Sequence, residues 1–414
     1  MAESPSAPGT TDPVNTPVGA PRPAETAVDP LPSRAANAAN AAVKPAQSKA
    51  ATAYKWTWPA LALLLLTAIG LWMYQAGHLK AIGLSPAGRV VSVSGAWYEV
   101  HFTSPDWTNA APHTGGLDSL VAADIAQAKR RVDIATFEYD LPSITAALIA
   151  AHNRGVQVRL VMDAGNLVDE EMDRLTDELL LAGIPFSWDI RMPFMHDKFV
   201  IIDETIVWVG SWNLTDNDTY RNNNNMIRFV LPQLAANYTA EFEEMFLDSA
   251  FGPRSPANTR YPELQLSDGT TIKTYYSPED NPRAGIIAQL RAAESEILFL
   301  AFSFTDDDIA RVLLEQARAG VTVRGVFETR SGDSEHSEYS VLQAAGLDVR
   351  LDGNPRTMHH KVFVIDGRVT IMGSYNFSAN AAQDNDENLL IITNPDIAQS
   401  YAAEFERVHA AAEE

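Results

Sequence analysis

Met195-His196-Asp197-Lys198-Phe199-Val200-Ile201-Ile202-Asp203, followed by Gly210-Ser211-Trp212-Asn213, decides how this chain folds. The pattern returns as Met358-His359-His360-Lys361-Val362-Phe363-Val364-Ile365-Asp366 and Gly373-Ser374-Tyr375-Asn376. Both copies read H-x-K-x4-D, six intervening residues, then G-S-x-N. A His and a Lys two apart on a strand share a face. The apolar run behind them (199–202, 362–365) reads as a buried strand. A tight turn at Asp203-Glu204-Thr205 or Asp366-Gly367-Arg368 then returns a second strand that ends at G-S-x-N. Each hairpin therefore gathers an imidazole, an ammonium, a hydroxyl and an amide at one end. That set suits a phosphate: Lys brings charge, Ser and Asn bring donors, and His attacks or shuttles protons.

This duplicated pattern resembles the signature of the phospholipase D superfamily. The flanking sequence repeats too. Phe102-Thr103-Ser104-Pro105 matches Tyr276-Ser277-Pro278, Phe137-Glu138-Tyr139 matches Phe302-Ser303-Phe304, and Arg154-Gly155-Val156 matches Ala319-Gly320-Val321. Strand and helix patterns alternate in each half, as in an α/β fold. The resemblance implies two pseudo-symmetric α/β lobes with facing sheets and one shared active site. The boundaries expected are lobe 1 at 97–250, a Pro/Ser/Asn-rich linker at 251–270 and lobe 2 at 271–412. With both half-sites in one chain, no oligomer is required.

Ahead of the lobes, residues 1–53 are rich in Ala, Pro, Ser and Thr, without apolar periodicity, and read as a disordered tail. Residues 56–76 follow, with an uncharged apolar run bordered by Trp56, Trp58, Trp72 and Tyr74, and read as a single transmembrane helix. Lys44, Lys49 and Lys55 before it, against Lys80 and Arg89 after it, favour a cytoplasmic tail and extracytoplasmic lobes.

Composition narrows the chemistry. The chain of 414 residues has no cysteine, which excludes disulfides and thiolate catalysis. Its net charge is −22, and residues 1–58 hold five Lys/Arg against four Asp/Glu, so the acidity lies in the body. An acidic body repels polyanions and gives little counterion-release affinity, which weighs against nucleic acid.

Facing lobes would set His196, Lys198, Ser211 and Asn213 against His359, Lys361, Ser374 and Asn376. Two ammoniums and neutral donors then surround one phosphodiester, with no metal or other cofactor needed for charge. The resemblance implies a phosphohistidine route, in which one His attacks phosphorus and the other serves as acid and base. It also implies that the residue eleven after the G-S-x-N asparagine orients the opposite lobe's His. Those residues are Glu387, expected to face His196, and Asn224, expected to face His359. A carboxylate raises basicity and steadies a phosphoimidazole, whereas an amide leaves its imidazole a better acid. His196 is thus the expected nucleophile and His359 the acid/base. Asp203 and Asp366 are expected to hold the turns, and His360 to face away from the reaction. Trp188, Met192, Phe194 and Met195 suit either acyl chains or core packing. The function expected is phospholipid hydrolysis to phosphatidic acid and head-group alcohol. A superfamily endonuclease and a cardiolipin-synthase-like phosphatidyltransferase are the alternatives.

Overall fold

The computed structural model describes residues 83–84, 90–105 and 113–412. Lobe 1 runs β1 (Gly83–Leu84), β2 (Val90–Ser94), β3 (Tyr98–Thr103), α1 (Leu117–Gln127), β4 (Arg131–Thr136), α2 (Pro142–Asn153) and β5 (Gln157–Asp163). It continues through α3 (Glu170–Leu181), β6 (Phe186–Asp189), β7 (Phe199–Ile202), β8 (Ile206–Gly210), α4 (Asp216–Tyr220), β9 (Asn225–Val230) and α5 (Pro232–Leu247). Lobe 2 repeats this order with β10 (Glu263–Gln265), β11 (Thr271–Ser277), α6 (Pro282–Arg291), β12 (Glu296–Ala301), α7 (Asp307–Arg318) and β13 (Thr322–Phe327). Then come α8 (Thr329–Gly332), α9 (Tyr339–Ala344), β14 (Asp348–Leu351), β15 (Lys361–Ile365), β16 (Val369–Gly373), α10 (Ala379–Gln383), β17 (Glu387–Thr393) and α11 (Pro395–Ala411).

The strands form two mixed sheets of matching topology, ordered β1-β2-β3-β9-β8-β7-β4-β5-β6 and β10-β11-β17-β16-β15-β12-β13-β14. β4, β5 and β6 pair in parallel, as do β12, β13 and β14, and helices cross between them. The signature hairpins β7–β8 and β15–β16 sit mid-sheet, where Phe199 to Ile202 and Val362 to Ile365 are buried. Strands buried on both faces need this continuous apolar run.

One apolar core joins the lobes. It draws Phe199 and Ile201 from one sheet, Val362 and Val364 from the other, and Tyr238, Phe242, Tyr401 and Phe405 from α5 and α11. Each closing helix also reaches the opposite lobe. Asn237 Nδ2 on α5 donates to Thr274 Oγ1 on β11 at 3.2 Å, and Tyr401 on α11 bonds Asn225 Oδ1 at 2.9 Å. The facing sheets thus meet through a shared interior that includes these two helices.

Three sequence expectations need adjustment. Strands β1 and β2 lie ahead of residue 97, where lobe 1 is expected to begin, and β10 adds an edge strand inside the expected linker. Short strands bounded by Gly, Ser and Pro carry little periodic signal. The single-pass membrane placement, with extracytoplasmic lobes, is withdrawn: among the described residues no helix is long and apolar enough to cross a membrane. The expected tail, 1–53, and the stretch that suggested the span, 56–76, lie outside the described residues.

Candidate active site

Each hairpin is built for its end. The turns place Asp203 and Glu204, or Asp366 and Gly367, at positive φ, as a type I′-like reversal requires. Asp203 then turns its carboxylate to the start of β4, accepting from the backbone N–H of Lys129, Arg130 and Arg131 at 2.7–3.2 Å. Asp366 does the same for β12, accepting from the N–H of Glu294, Ser295 and Glu296 at 2.7–3.0 Å. Burial works against both charges, yet the N–H groups prevail and hold Asp203 below the usual range and Asp366 down to about 2. These aspartates fasten the hairpin to its neighbour strand at the end remote from the imidazoles.

At the other end, the G-S-x-N glycine lets two strands close in. A Cβ on Gly210 would lie 2.1 Å from Asn225 O, and one on Gly373 2.2 Å from Asn388 O. Only a residue without a side chain fits there. The serine that follows is spent on the lobe's own acceptor. Ser211 Oγ donates to Asn224 Oδ1 at 2.8 Å, and Ser374 Oγ to Glu387 Oε2 at 2.8 Å. The serines therefore sit as supports for those acceptors. Asn213 Nδ2 donates to Glu138 Oε2 at 3.1 Å, while the Oδ1 atoms of Asn213 and Asn376 are buried and have no hydrogen-bond partner among the described residues.

The lobes exchange bonds right at the histidines. His196 N donates to Asp386 O, and His359 N to Asn223 O, each at 2.9 Å. The reciprocal bonds, Asp386 N to Phe194 O and Asn223 N to Thr357 O, are also 2.9 Å. The next residue on each partner segment then meets the ring. His196 Nδ1 lies 2.7 Å from Glu387 Oε2, and His359 Nδ1 3.1 Å from Asn224 Oδ1. The backbone register thus delivers the crossed pairing. It also brings in a residue that sequence reasoning missed: Asp218 Oδ2 stands 3.4 Å from His359 Nδ1.

The two lysines lie buried beneath the rings. Lys198 Nζ donates to His196 O at 2.8 Å and Lys361 Nζ to His359 O at 2.9 Å. Phe137 and Phe302, at matched positions, each face one His and one Lys. The ring centroids are 5.0 and 4.6 Å from the imidazoles and 5.2 and 4.4 Å from the ammoniums. Their role was not legible from the motif alone.

Burial and like charge set the protonation. Burial pushes Lys198 down to about 8, against the pull of Glu387, Glu138 and Asp218. Lys361 falls further through burial and the neighbouring Lys198. His196 is held well below the ordinary imidazole range by burial, Lys198 and Lys361, and His359 is pushed to about 3 by burial and Lys361. Burial raises Glu387 to about 8. Burial thus favours the uncharged forms of these groups, and an anion between the lysines would oppose that.

His196 and His359 line one cavity of about 390 Å3 with Phe137, Phe302 and Asn213. Its wall also carries Glu138, Asp218, Glu328 and Arg330. Glu138 rises to about 7 through burial and the nearby Asp218. His360 is buried in the seam, facing Asn225 and, at 3.0 Å, Glu404. Ahead of His196, Met195 is buried, Trp188 stacks on Phe186, and Met192 is 92% exposed. Phe194 is half-exposed with its ring 5.1 Å from Phe137. Among the described residues, the carboxylates of Glu241, Glu244 and Glu279 lie close enough to share a cation. None of them lines this cavity, and burial raises all three toward the protonated form.

A family model described as cardiolipin synthase, PLD-like domain, matches residues 121–246 and 286–409, one match in each lobe. The chain belongs to the phospholipase D-like family. This phospholipase D-like chain is 35% identical over 129 residues to a mitochondrial cardiolipin hydrolase of Xenopus laevis, covering 31% of the chain and 61% of that protein. It is 30% identical over 147 residues to a phospholipase D of Rickettsia prowazekii (strain Madrid E), covering 36% of the chain and 72% of that protein. The chain thus spans about three fifths of the length of the cardiolipin hydrolases it matches first. Among solved structures, the phosphatidylserine synthase of Haemophilus influenzae superposes with a TM-score of 0.57 at 12% identity, over 78% of this chain and 88% of its own. That likeness shows the two-lobed fold.

Proposed function

We propose that this phospholipase D-like chain is a phosphodiesterase that hydrolyses glycerophospholipids to phosphatidic acid and free head-group alcohol, without need of a metal. The observation that carries the reading is the crossed pair. Two imidazoles from different lobes line one cavity, each with Nδ1 tied to an acceptor of the other lobe. Tying Nδ1 leaves Nε2 of each ring for chemistry.

In this reading His196 Nε2 attacks phosphorus, and the bond to the head-group oxygen breaks as His359 donates a proton to it. His359 then takes a proton from water, whose oxygen displaces His196 and releases phosphatidic acid. Lys198 and Lys361 stabilise the charge that grows on the phosphoryl oxygens, and the asparagines supply donors. Glu387, with Oε2 2.7 Å from His196 Nδ1, suits the imidazole that must carry positive charge while bonded to phosphorus.

The preference for lipid over nucleic acid rests on charge and kinship. It draws on the net charge of −22, on Glu138, Asp218 and Glu328 in the cavity wall, and on relatives named for phospholipid and cardiolipin hydrolysis. The test is the full chain in EDTA with phosphatidylcholine vesicles, cardiolipin vesicles with and without glycerol, and supercoiled plasmid. Head-group release is expected. Plasmid nicking with no lipid turnover would replace this reading with the endonuclease one, and phosphatidyl transfer to glycerol would replace it with the transferase one.

A further inference from the structure

The two half-sites carry the same His, Lys, Ser and Asn at matched positions but differ in where each keeps the carboxylate that faces a histidine. Counting from the G-S-x-N serine, position +13 is Asn224 in lobe 1 and Glu387 in lobe 2, whereas position +7 is Asp218 in lobe 1 and Ala381 in lobe 2. Position +11 is asparagine in both, Asn222 and Asn385. The asparagine follows the acid: Asn385 Nδ2 donates to Glu387 Oε1 at 3.1 Å, and Asn222 Nδ2 to Asp218 Oδ1 at 2.6 Å. Each lobe therefore presents one buried carboxylate, steadied by the same asparagine, to the histidine of the other lobe. In lobe 1 it comes from α4, in lobe 2 from the first residue of β17.

We propose that Asp218 is the positioning carboxylate of His359, performing from α4 the task that Glu387 performs for His196. This rests on the reading of the two histidines as the reacting pair. Asp218 and Asn224 act jointly. Asn224 Nδ2 donates to Asp218 O at 3.1 Å, which fixes the amide so that Oδ1 faces His359. The Nδ1–H is then shared between an amide oxygen at 3.1 Å and a carboxylate oxygen at 3.4 Å. This keeps Nε2 as the nitrogen turned to the substrate. Among the charged groups acting on His359, Asp218 opposes Lys361 of its own lobe and Lys198 of the opposite lobe, so Asp218 is the counter-charge that favours the protonated ring. The carboxylate also accepts from Asn213 N at 2.8 Å, so a purely structural role is the competing explanation.

An exchange variant separates the two. Asp218→Ala removes the carboxylate, and Asp218→Ala/Asn224→Glu rebuilds in lobe 1 the arrangement that lobe 2 already has. Two readouts are taken on the full chain: kcat against phosphatidylcholine as a function of pH, and the 15N shifts of His359, assigned with His359→Gln, in saturating inorganic phosphate. For Asp218→Ala, kcat is expected to fall about 10–100-fold. The pH at which His359 charges should move down, and the basic limb of the profile with it. The exchange variant is expected to recover most of both. Recovery of neither in a folded exchange variant, or loss of thermal stability in Asp218→Ala with the His359 titration unmoved, would overturn the proposal. Should the wild type hydrolyse no phosphodiester, the proposed function fails, and the titration alone still decides the role of Asp218.

Discussion

Replacing Asp366 by Asn should cost stability and leave the chemistry nearly intact, and the size of the loss follows from the contacts. Oδ1 accepts from Ser295 N, Ser295 Oγ and Glu296 N, and Oδ2 accepts from Glu294 N. An amide retains one acceptor oxygen and turns its own N–H2 against the remaining N–H. The charge on the three retained bonds also disappears. Hydrogen bonds to a charged group contribute roughly 1.5–3 kcal/mol, so the net loss is about 2 kcal/mol. The depressed pKa, about 2 against an ordinary 3.8, is of the same order after allowance for solvent screening. Because the folded-state pKa is the lower one, the contribution is present above the unfolded value and fades as pH drops through the folded one. The difference between wild type and Asp366→Asn should therefore be full at neutral pH, shrink below roughly pH 4 and be gone near the folded-state pKa. Urea unfolding midpoints at stepped pH measure it, with kcat on the folded fraction expected within about threefold of wild type. Wild-type stability at neutral pH, or a folded variant with no turnover, would refute the reasoning.

The remaining predictions concern the site and its rim. His196→Ala and His359→Ala should each cut turnover by about 10^3-fold or more. Rapid quench of His359→Asn should trap labelled phosphate on His196, and label on His359 in a His196 variant would reverse the roles. Burial places Lys198 near 8, protonated below that value and neutral above it, so KM for a phosphodiester should rise as pH passes about 8. A flat KM across that range would count against the charge assignment. Ile190 and Met192 are exposed apolar residues just ahead of His196. Replacing both by Ser should lower turnover of vesicle lipid several-fold more than that of a soluble short-chain analogue, and equal losses would argue against an interfacial role.

The sequence carried the hairpins and their duplication because those depend on local offsets. Two-residue spacing sets His and Lys on one face, and the glycine before each serine reports a close strand approach. The pairing of His196 with Glu387 was also legible, although the residues lie in different lobes, because the repeat fixed the offset. Asp218 was not read. It sits in a run of Thr, Asp and Asn that resembles a helix cap, and Thr215 does cap α4 through Asp218 N. The signal was there in the mismatch of Asp218 with Ala381, but only the fold shows that the two positions face a ring. Phe137 and Phe302 were matched as repeat partners without a role, since contact of a ring with a lysine depends on tertiary packing.

The four backbone bonds that stitch 194–196 to 386 and 357–359 to 223 make the active site a gauge of how the halves mate. Slipping that seam by one residue would turn Glu387 and Asn224 off their rings at the same moment, so a misassembled chain is silenced at both histidines at once. Under the proposed function, competence for hydrolysis and correct closure of the molecule would therefore be a single property, set by the same stitches.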